Sequence, residues 1–163
     1  MNNEFSRVSF QHDIEINASK VQIFPLLCLV REGEWLPGFS SKTVYSASGI
    51  SELDGVFVTD HTTSEERFWV VPVYEKNKFI ELIYFTPGIN IVIIKLLLED
   101  ESENRTKLHV EYIYTSISDS GNRELGTKTE ENFKNQINQW RVALNYLFEK
   151  GKRIPESLLS LHH

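Results

Sequence analysis

Hydrophobic and polar residues alternate between Arg7 and Ile16: Val8, Phe10, His12, Ile14 and Ile16 share one face, and Arg7, Ser9, Gln11, Asp13 and Glu15 the other. A period of two is the mark of a half-buried strand. The pattern stops at Asn17-Ala18-Ser19, where Ser19 can cap a helix, and Val21, Phe24, Leu27 and Cys28 then recur at helical spacing. Pro25 falls in the first two turns, so this helix is short or bent. A second short helix is predicted to carry Arg31 to Trp35 and to end at Pro37-Gly38.

From residue 42 the chain reads as a run of strands, at 42–48, 54–62, 67–75, 79–86, 89–99 and 106–116. Turn chemistry separates them at Glu52-Leu53-Asp54-Gly55, Lys76-Asn77-Lys78, Pro87-Gly88 and the acidic stretch Asp100 to Asn104, which is expected to be a solvated loop. Connections this short make successive strands antiparallel hairpins. A polar loop, Ser116 to Gly126, leads into the strongest helical segment, 127–150. Thr127 or Thr129 is its cap, Glu130 and Glu131 suit its positive end, and Phe133, Ile137, Trp140, Leu144 and Leu147 form an apolar stripe. It ends at Lys150-Gly151-Lys152, giving a length of about 35 Å. The tail from Arg153 onward is expected to be frayed, and the sequence leaves open whether His162-His163 is native or belongs to a purification tag.

Charges fix which face of several strands looks inward. Lys107, His109 and Glu111 turn Leu108, Val110, Tyr112 and Tyr114 inside; Lys95 and Glu99 do the same for Val92, Ile94, Leu96 and Leu98; Glu81 does so for Ile80, Leu82 and Tyr84. In 54–62 and 67–75 the two faces are too alike to choose between. This parity leaves Phe79, Ile83, Phe85, Ile91, Ile93 and Leu97 on the outer face of neighbouring strands. A contiguous apolar patch of that kind marks an interface, so a homodimer through it is expected.

The composition, 40% hydrophobic and 25% charged, is that of one folded domain and excludes wholesale disorder. Net charge is −6 with a pI near 5.4, and no Lys/Arg cluster is present, so nucleic acid and anionic membranes are not expected partners. The single cysteine, Cys28, lies among Leu26, Leu27 and Leu29 and reads as a core thiol. No signal peptide is visible, and Ile89 to Leu98 is too short to span a bilayer, so a cytoplasmic protein is expected.

His12 is the one polar residue on the inner face of the first strand, where it could orient a ligand or act as acid or base near neutral pH. Asp60-His61 ends a strand, and Arg67 is available to pair with Asp60. His12, Asp60 and His61 lack any close metal-ligand spacing, and no metal or cofactor is expected. Tyr84, Tyr112, Tyr114 and Trp140 are expected inside, where aromatics with a polar tip suit a pocket that stacks a ring. There is no nucleophile elbow, phosphate-binding loop or dinucleotide fingerprint.

Three stretches carry a family resemblance. Glu15-Ile16-Asn17-Ala18-Ser19-Lys20-Val21-Gln22-Ile23-Phe24 looks like a strand-to-helix junction, Glu34-Trp35-Leu36-Pro37-Gly38 like the aromatic-proline end of a second helix, and Phe133 to Leu147 like a gripping helix. In this order they resemble the START-like or SRPBCC superfamily, which includes birch-pollen-allergen-like and polyketide cyclase-like proteins. The resemblance implies an α+β helix-grip fold: a seven-stranded antiparallel curved sheet around a long C-terminal helix, with two short helices between strands 1 and 2. It also implies a cavity, opening near Trp35-Leu36-Pro37, for an apolar or aromatic lipid- or polyketide-like molecule contacted by His12, Trp35, Tyr84, Tyr112, Tyr114 and Trp140. Two alternatives stand beside it: a cyclase, dehydratase or hydrolase-type enzyme using His12, and a protein-interaction module using the outer face of strands 79–99.

Overall fold

The N-terminal alternation forms the edge strand of one antiparallel sheet. A computed structural model describes residues 5–60 and 66–159. In it, β1 (Arg7–Ile16) leads into α1 (Lys20–Ile23) and two 3-10 turns, Phe24–Leu27 and Glu32–Glu34. Then come β2 (Lys42–Tyr45), β3 (Val56–Asp60), β4 (Glu66–Glu75), β5 (Phe79–Thr86), β6 (Asn90–Ser102) and β7 (Arg105–Ser116). The chain closes with α2 (Asp119–Leu125), α3 (Glu130–Lys150) and a 3-10 turn, Glu156–Leu158. The sheet order is β1-β7-β6-β5-β4-β3-β2, so the first strand returns to pair with the last and the other five follow as hairpins. This is the helix-grip architecture.

Local chemistry explains the elements. Ser19 and Gln22 form a reciprocal capping box that starts α1, and Pro25 converts the following turn to 3-10 geometry. Thr129 accepts from the Asn132 N–H at 3.1 Å to start α3, and Gly151, at φ 72°, ends it in the left-handed region only glycine enters freely. Phe133, Ile137, Trp140, Ala143 and Leu144 are the buried stripe of α3. It lies against the inner face of the sheet, whose alternation matches that read from the charges: Ile80, Leu82 and Tyr84 on β5, and Leu108, Val110, Tyr112 and Tyr114 on β7, are all buried.

The two strands of ambiguous parity are settled by burial. Phe57 and Thr59 face inward on β3, and Trp69 and Val71 on β4. The β4–β5 register then shifts between Val70 and Val73, around Pro72, as a bulge does where proline cannot donate to the ladder.

Three expectations need correction. The acidic stretch is not a loop: β6 continues through Glu99-Asp100-Glu101, because β7 and α1 supply opposite charges. Lys107 lies 3.3 Å and Arg105 3.5 Å from Glu101, and Lys20 3.2 Å from Asp100. The polar loop after β7 contains α2, a helix too short and polar to show a periodic signal; Ser118 caps it on Gly121 N and also donates to the Gly88 carbonyl. The tail is not frayed as far as Leu159, since Ile154 and Leu159 are both buried in the core. Among the described residues no helix is long and apolar enough to cross a membrane.

Gly121 is where α2 is seated: a Cβ at that position would overlap the Ile89 carbonyl, which is backbone and cannot swing aside. Gly121→Ala is therefore expected to cost about 1–3 kcal/mol of stability in chemical denaturation, with the far-ultraviolet spectrum unchanged before unfolding.

Candidate functional site

The strand register places the inner side chains in transverse rows. One row runs Trp69, Tyr84, Val92, Tyr114, Val8; the next holds Leu82, Ile94, Tyr112 and Phe10; the next Tyr74, Ile80, Leu96, Val110 and His12. α3 crosses these rows so closely that the cavity left between helix and sheet has a volume of only about 20 Å³, roughly the room one water needs. All three tryptophans of the chain, Trp35, Trp69 and Trp140, line it with Tyr112 and Glu32, and the remaining wall is Leu and Ile.

Each ring is held by its own element. Trp35 follows the Glu32–Glu34 turn and donates its indole N–H to the Leu26 carbonyl at 2.6 Å; its ring meets Trp140 edge-on at 5.9 Å. Trp69 donates to Thr59 Oγ1 at 2.8 Å and packs 4.8 Å from Tyr84. Tyr112 lies 5.3 Å from Phe133, edge to face, and 6.3 Å from Trp140.

Glu32 is the chemical outlier. The residue is half-buried, its side chain lines the cavity, and its carboxyl makes no hydrogen bond or ion pair among the described residues. Burial alone pushes that carboxyl up to about 8. Two residues on, Glu34 turns outward and pairs with Arg31 at 2.8 Å, and the guanidinium holds its carboxyl below the usual range. One short turn thus carries a neutral acid on its inner side and an ionised one on its outer side.

Toward the other end, burial pushes the Tyr84 phenol up to about 12 and raises Tyr112 and Tyr114 as well. None of the three hydroxyls has a hydrogen-bond partner among the described residues. Two cations sit on their rings: Arg67 lies 4.5 Å from the centre of Tyr84, and Lys128 Nζ 4.7 Å from that of Tyr114. Burial lowers the Lys128 ammonium from its usual value. A surface recess of about 210 Å³ opens there, where Phe10, Tyr114, Lys128 and Phe133 meet. Phe133 belongs to the recess and Tyr112 to the cavity, so this ring pair stands between them.

Of the residues expected at the site, Trp35, Tyr112 and Trp140 are brought together around the cavity, and Tyr84 and Tyr114 lie one row toward the recess. His12 is elsewhere. It hydrogen-bonds through Nε2 to Asn138 Oδ1 at 3.0 Å and lines a shallow outer groove with Asp13, Glu15 and Arg105. The recess is at the start of α3, while Trp35, 1% exposed, and the half-buried Glu32 bound the inner cavity on the side of Trp35-Leu36-Pro37. His61 and the side chain of Asp60 lie outside the described residues, as does the expected Asp60–Arg67 pair. Cys28 is buried, and its Sγ accepts the Ser51 N–H at 2.9 Å. Glu32, Trp69 and Lys128 were not anticipated: β4 gave no parity for Trp69, and neither Glu32 nor Lys128 stands out from a polar stretch.

No protein-family model and no curated protein matches the sequence. Solved structures do match. Norcoclaurine synthase from Thalictrum flavum, in complex with dopamine and hydroxybenzaldehyde, superposes with a TM-score of 0.64 at 10% identity, over 91% of this chain and 90% of that one. DynU16, from the dynemicin biosynthetic locus, matches with a TM-score of 0.58 at 14% identity, over 93% of this chain and 49% of its own. CalU16 from Micromonospora echinospora matches with a TM-score of 0.53 at 13% identity, over 89% and 84%. These likenesses show the fold, a curved antiparallel sheet gripping a long C-terminal helix.

Glu32 gives the fold a pH dependence of definite sign. Between its ordinary 4.5 and about 8, the folded chain holds a proton that the unfolded chain has released. Stability therefore falls as pH rises through that window and levels off above it. Glu32→Gln has no charge to bury and should lose this slope. The variant is expected to be more stable than the parent by a few kcal/mol near pH 8.5, in the order-of-magnitude sense, and within about 1 kcal/mol of it near pH 4, by chemical denaturation.

Proposed function

We propose that the protein binds an apolar or aromatic small molecule between α3 and the concave face of the sheet. The observation that carries this reading is the lining of the inner cavity, where the Glu32 carboxyl and the Tyr112 hydroxyl stand among tryptophan, leucine and isoleucine side chains, with the Tyr84 and Tyr114 phenols in the row beside it. The polar atoms of these side chains have no protein partner among the described residues and are available to hydrogen-bond a ligand. A ligand with an apolar body and a few polar atoms satisfies them while stacking on Trp35, Trp140 and Tyr112. The solved relatives support the reading at the level of fold, since norcoclaurine synthase holds dopamine and hydroxybenzaldehyde in this architecture.

The closed cavity is the initial state in this reading. A ligand enters from the recess by turning the Phe133 and Tyr112 rings aside, which joins the two volumes. Losing that edge-to-face contact costs about 0.5–1.5 kcal/mol. Burying 150–250 Å² of ligand ring returns roughly 4–6 kcal/mol at about 25 cal/mol per Å², so opening is favourable overall. Tyr84 and Tyr114 then orient the ligand. An acid–base enzyme built on His12 finds no comparable support, because His12 is engaged with Asn138 and lines the outer groove.

Because every tryptophan lines the cavity, intrinsic fluorescence reports on it alone. Titration with apolar aromatic compounds is expected to shift or quench the emission, and native mass spectrometry followed by denaturing extraction to release a bound apolar compound. Phe133→Ala, which joins recess and cavity, should bind the same compounds faster. No emission change in either protein with millimolar-soluble aromatics, together with a clean apo mass, would overturn the reading.

A second reading concerns the outer face, and the register favours it. Phe68, Phe85 and Ile91 stand side by side, as do Val70, Ile83, Ile93 and Ile113, so the apolar patch is continuous across four strands. Phe68 is 42% and Ile91 40% exposed. The charged row Glu81, Lys95, Glu111 separates Phe79 and Leu97 from it. We infer that a second copy covers Phe85, Ile83, Ile91 and Ile93. Sedimentation velocity is expected to give a dimer that Ile91→Lys with Ile93→Lys dissociates without loss of helix or strand signal; a monomer at high concentration would refute it.

A further inference from the structure

The cavity-lining carboxyl of Glu32 has company that narrows what it faces. Among the residues lining the inner cavity there is no Lys, Arg or His, and Tyr112 is the only other titratable side chain. The chain's cations near the interior, Arg67 and Lys128, are committed to the rings of Tyr84 and Tyr114 nearer the recess. A lone acid in an apolar, aromatic chamber is a costly arrangement unless something balances its charge. The walls around it, Trp35, Trp69, Trp140 and Tyr112, are the side chains whose π faces attract cations, and the indole N–H groups of Trp35 and Trp69 are already taken by the protein.

We propose that this chamber receives the ammonium head of an amine-bearing ligand, with Glu32 as its counter-charge and the three tryptophans and Tyr112 as its cage. The inference rests on the cavity reading above and names the chemical class of its ligand. The apolar body of the amine extends past Tyr112 and Phe133 toward the recess. Charge balances in either of two equivalent ways: a neutral amine takes the proton from Glu32, or an ammonium ion binds and Glu32 releases its proton to solvent. A small head group is favoured, because the chamber at rest is about 20 Å³ and each added methyl must push the rings further apart.

Three isosteric probes test this: 3-phenylpropylammonium, 3-phenylpropanol and 3-phenylpropanoate, titrated into the full chain and into Glu32→Gln by tryptophan emission and calorimetry. The alkylammonium keeps its charge up to a pH of about 10, so any change in its affinity between pH 6 and about 9 belongs to the protein. The ammonium is expected to bind at least about tenfold more tightly than the alcohol near pH 9, and the propanoate most weakly. The ammonium's affinity should rise with pH through about 8, as Glu32 ionises. Glu32→Gln should abolish the ammonium's advantage and keep the alcohol's affinity within about threefold, which shows the chamber intact. If the alcohol binds the native protein as tightly as the ammonium, the cation inference falls and the cavity reading stands. If none of the three binds either protein, the cavity reading falls with it.

Discussion

The approach of α3 to the concave face of the sheet is the constraint on which the rest of the molecule depends. Its buried stripe, Phe133, Ile137, Trp140, Ala143 and Leu144, mixes two large rings with an alanine that is fully buried. The alanine lets the helix backbone come down on β1 near its C-terminal half, and the rings hold it off at its N-terminal half. The space under the helix is therefore wedge-shaped in effect: dry core beneath Ala143 and Leu144, an aromatic chamber at Trp140, and an open recess at Phe133. A fold that grips this tightly has little spare volume, so ring movements rather than backbone movements are the inexpensive way to make room.

That same grip decides where polar groups are tolerated. Glu32 and Glu34 differ by two positions on one turn, yet one is enclosed and shifted upward and the other exposed and paired. Composition does not distinguish them; the enclosure made by Trp35, Trp140 and the sheet does. Stability gained by burying the chain's tryptophans offsets the cost of burying an acid beside them, and a core made only for stability would have placed an aliphatic residue at that point.

How much of this was legible in the sequence follows from which signals are local. Alternation in 7–16 and 106–116 was enough to place Phe10, Tyr112 and Tyr114 on the inner face, because period two is a property of the strand itself. The outer patch was legible for the same reason, and only the cross-strand register revealed that Glu81, Lys95 and Glu111 divide it. The acidic stretch misled because its partners, Arg105, Lys107 and Lys20, are brought opposite by pairing and not by proximity along the chain. His12 read as a pocket residue because it is on the inner face; that it meets Asn138 depends on the crossing of α3, which no strand pattern encodes. Glu32 was invisible for a similar reason, since a 3-10 turn has no period by which to tell its inner side from its outer one.

The interior also has a polarity that neither end explains alone. At the recess Lys128 lies on the ring of Tyr114, and in the same transverse row Arg67 lies on that of Tyr84; on the wall of the inner cavity a carboxyl stands among tryptophans. With little water between them these charges are weakly screened. Glu124 acts on Lys128, Tyr84 and Tyr114 as well, so the strongest unpaired charge along the cavity is that of Glu32 once it ionises. On the proposed reading, an elongated ligand with an ammonium at one end has that end drawn toward Glu32. Aromatic stacking is indifferent to the direction in which a ring slides in, so in this fold direction has to come from charge. The carboxyl of Glu32 on the cavity wall is the charge that can supply it.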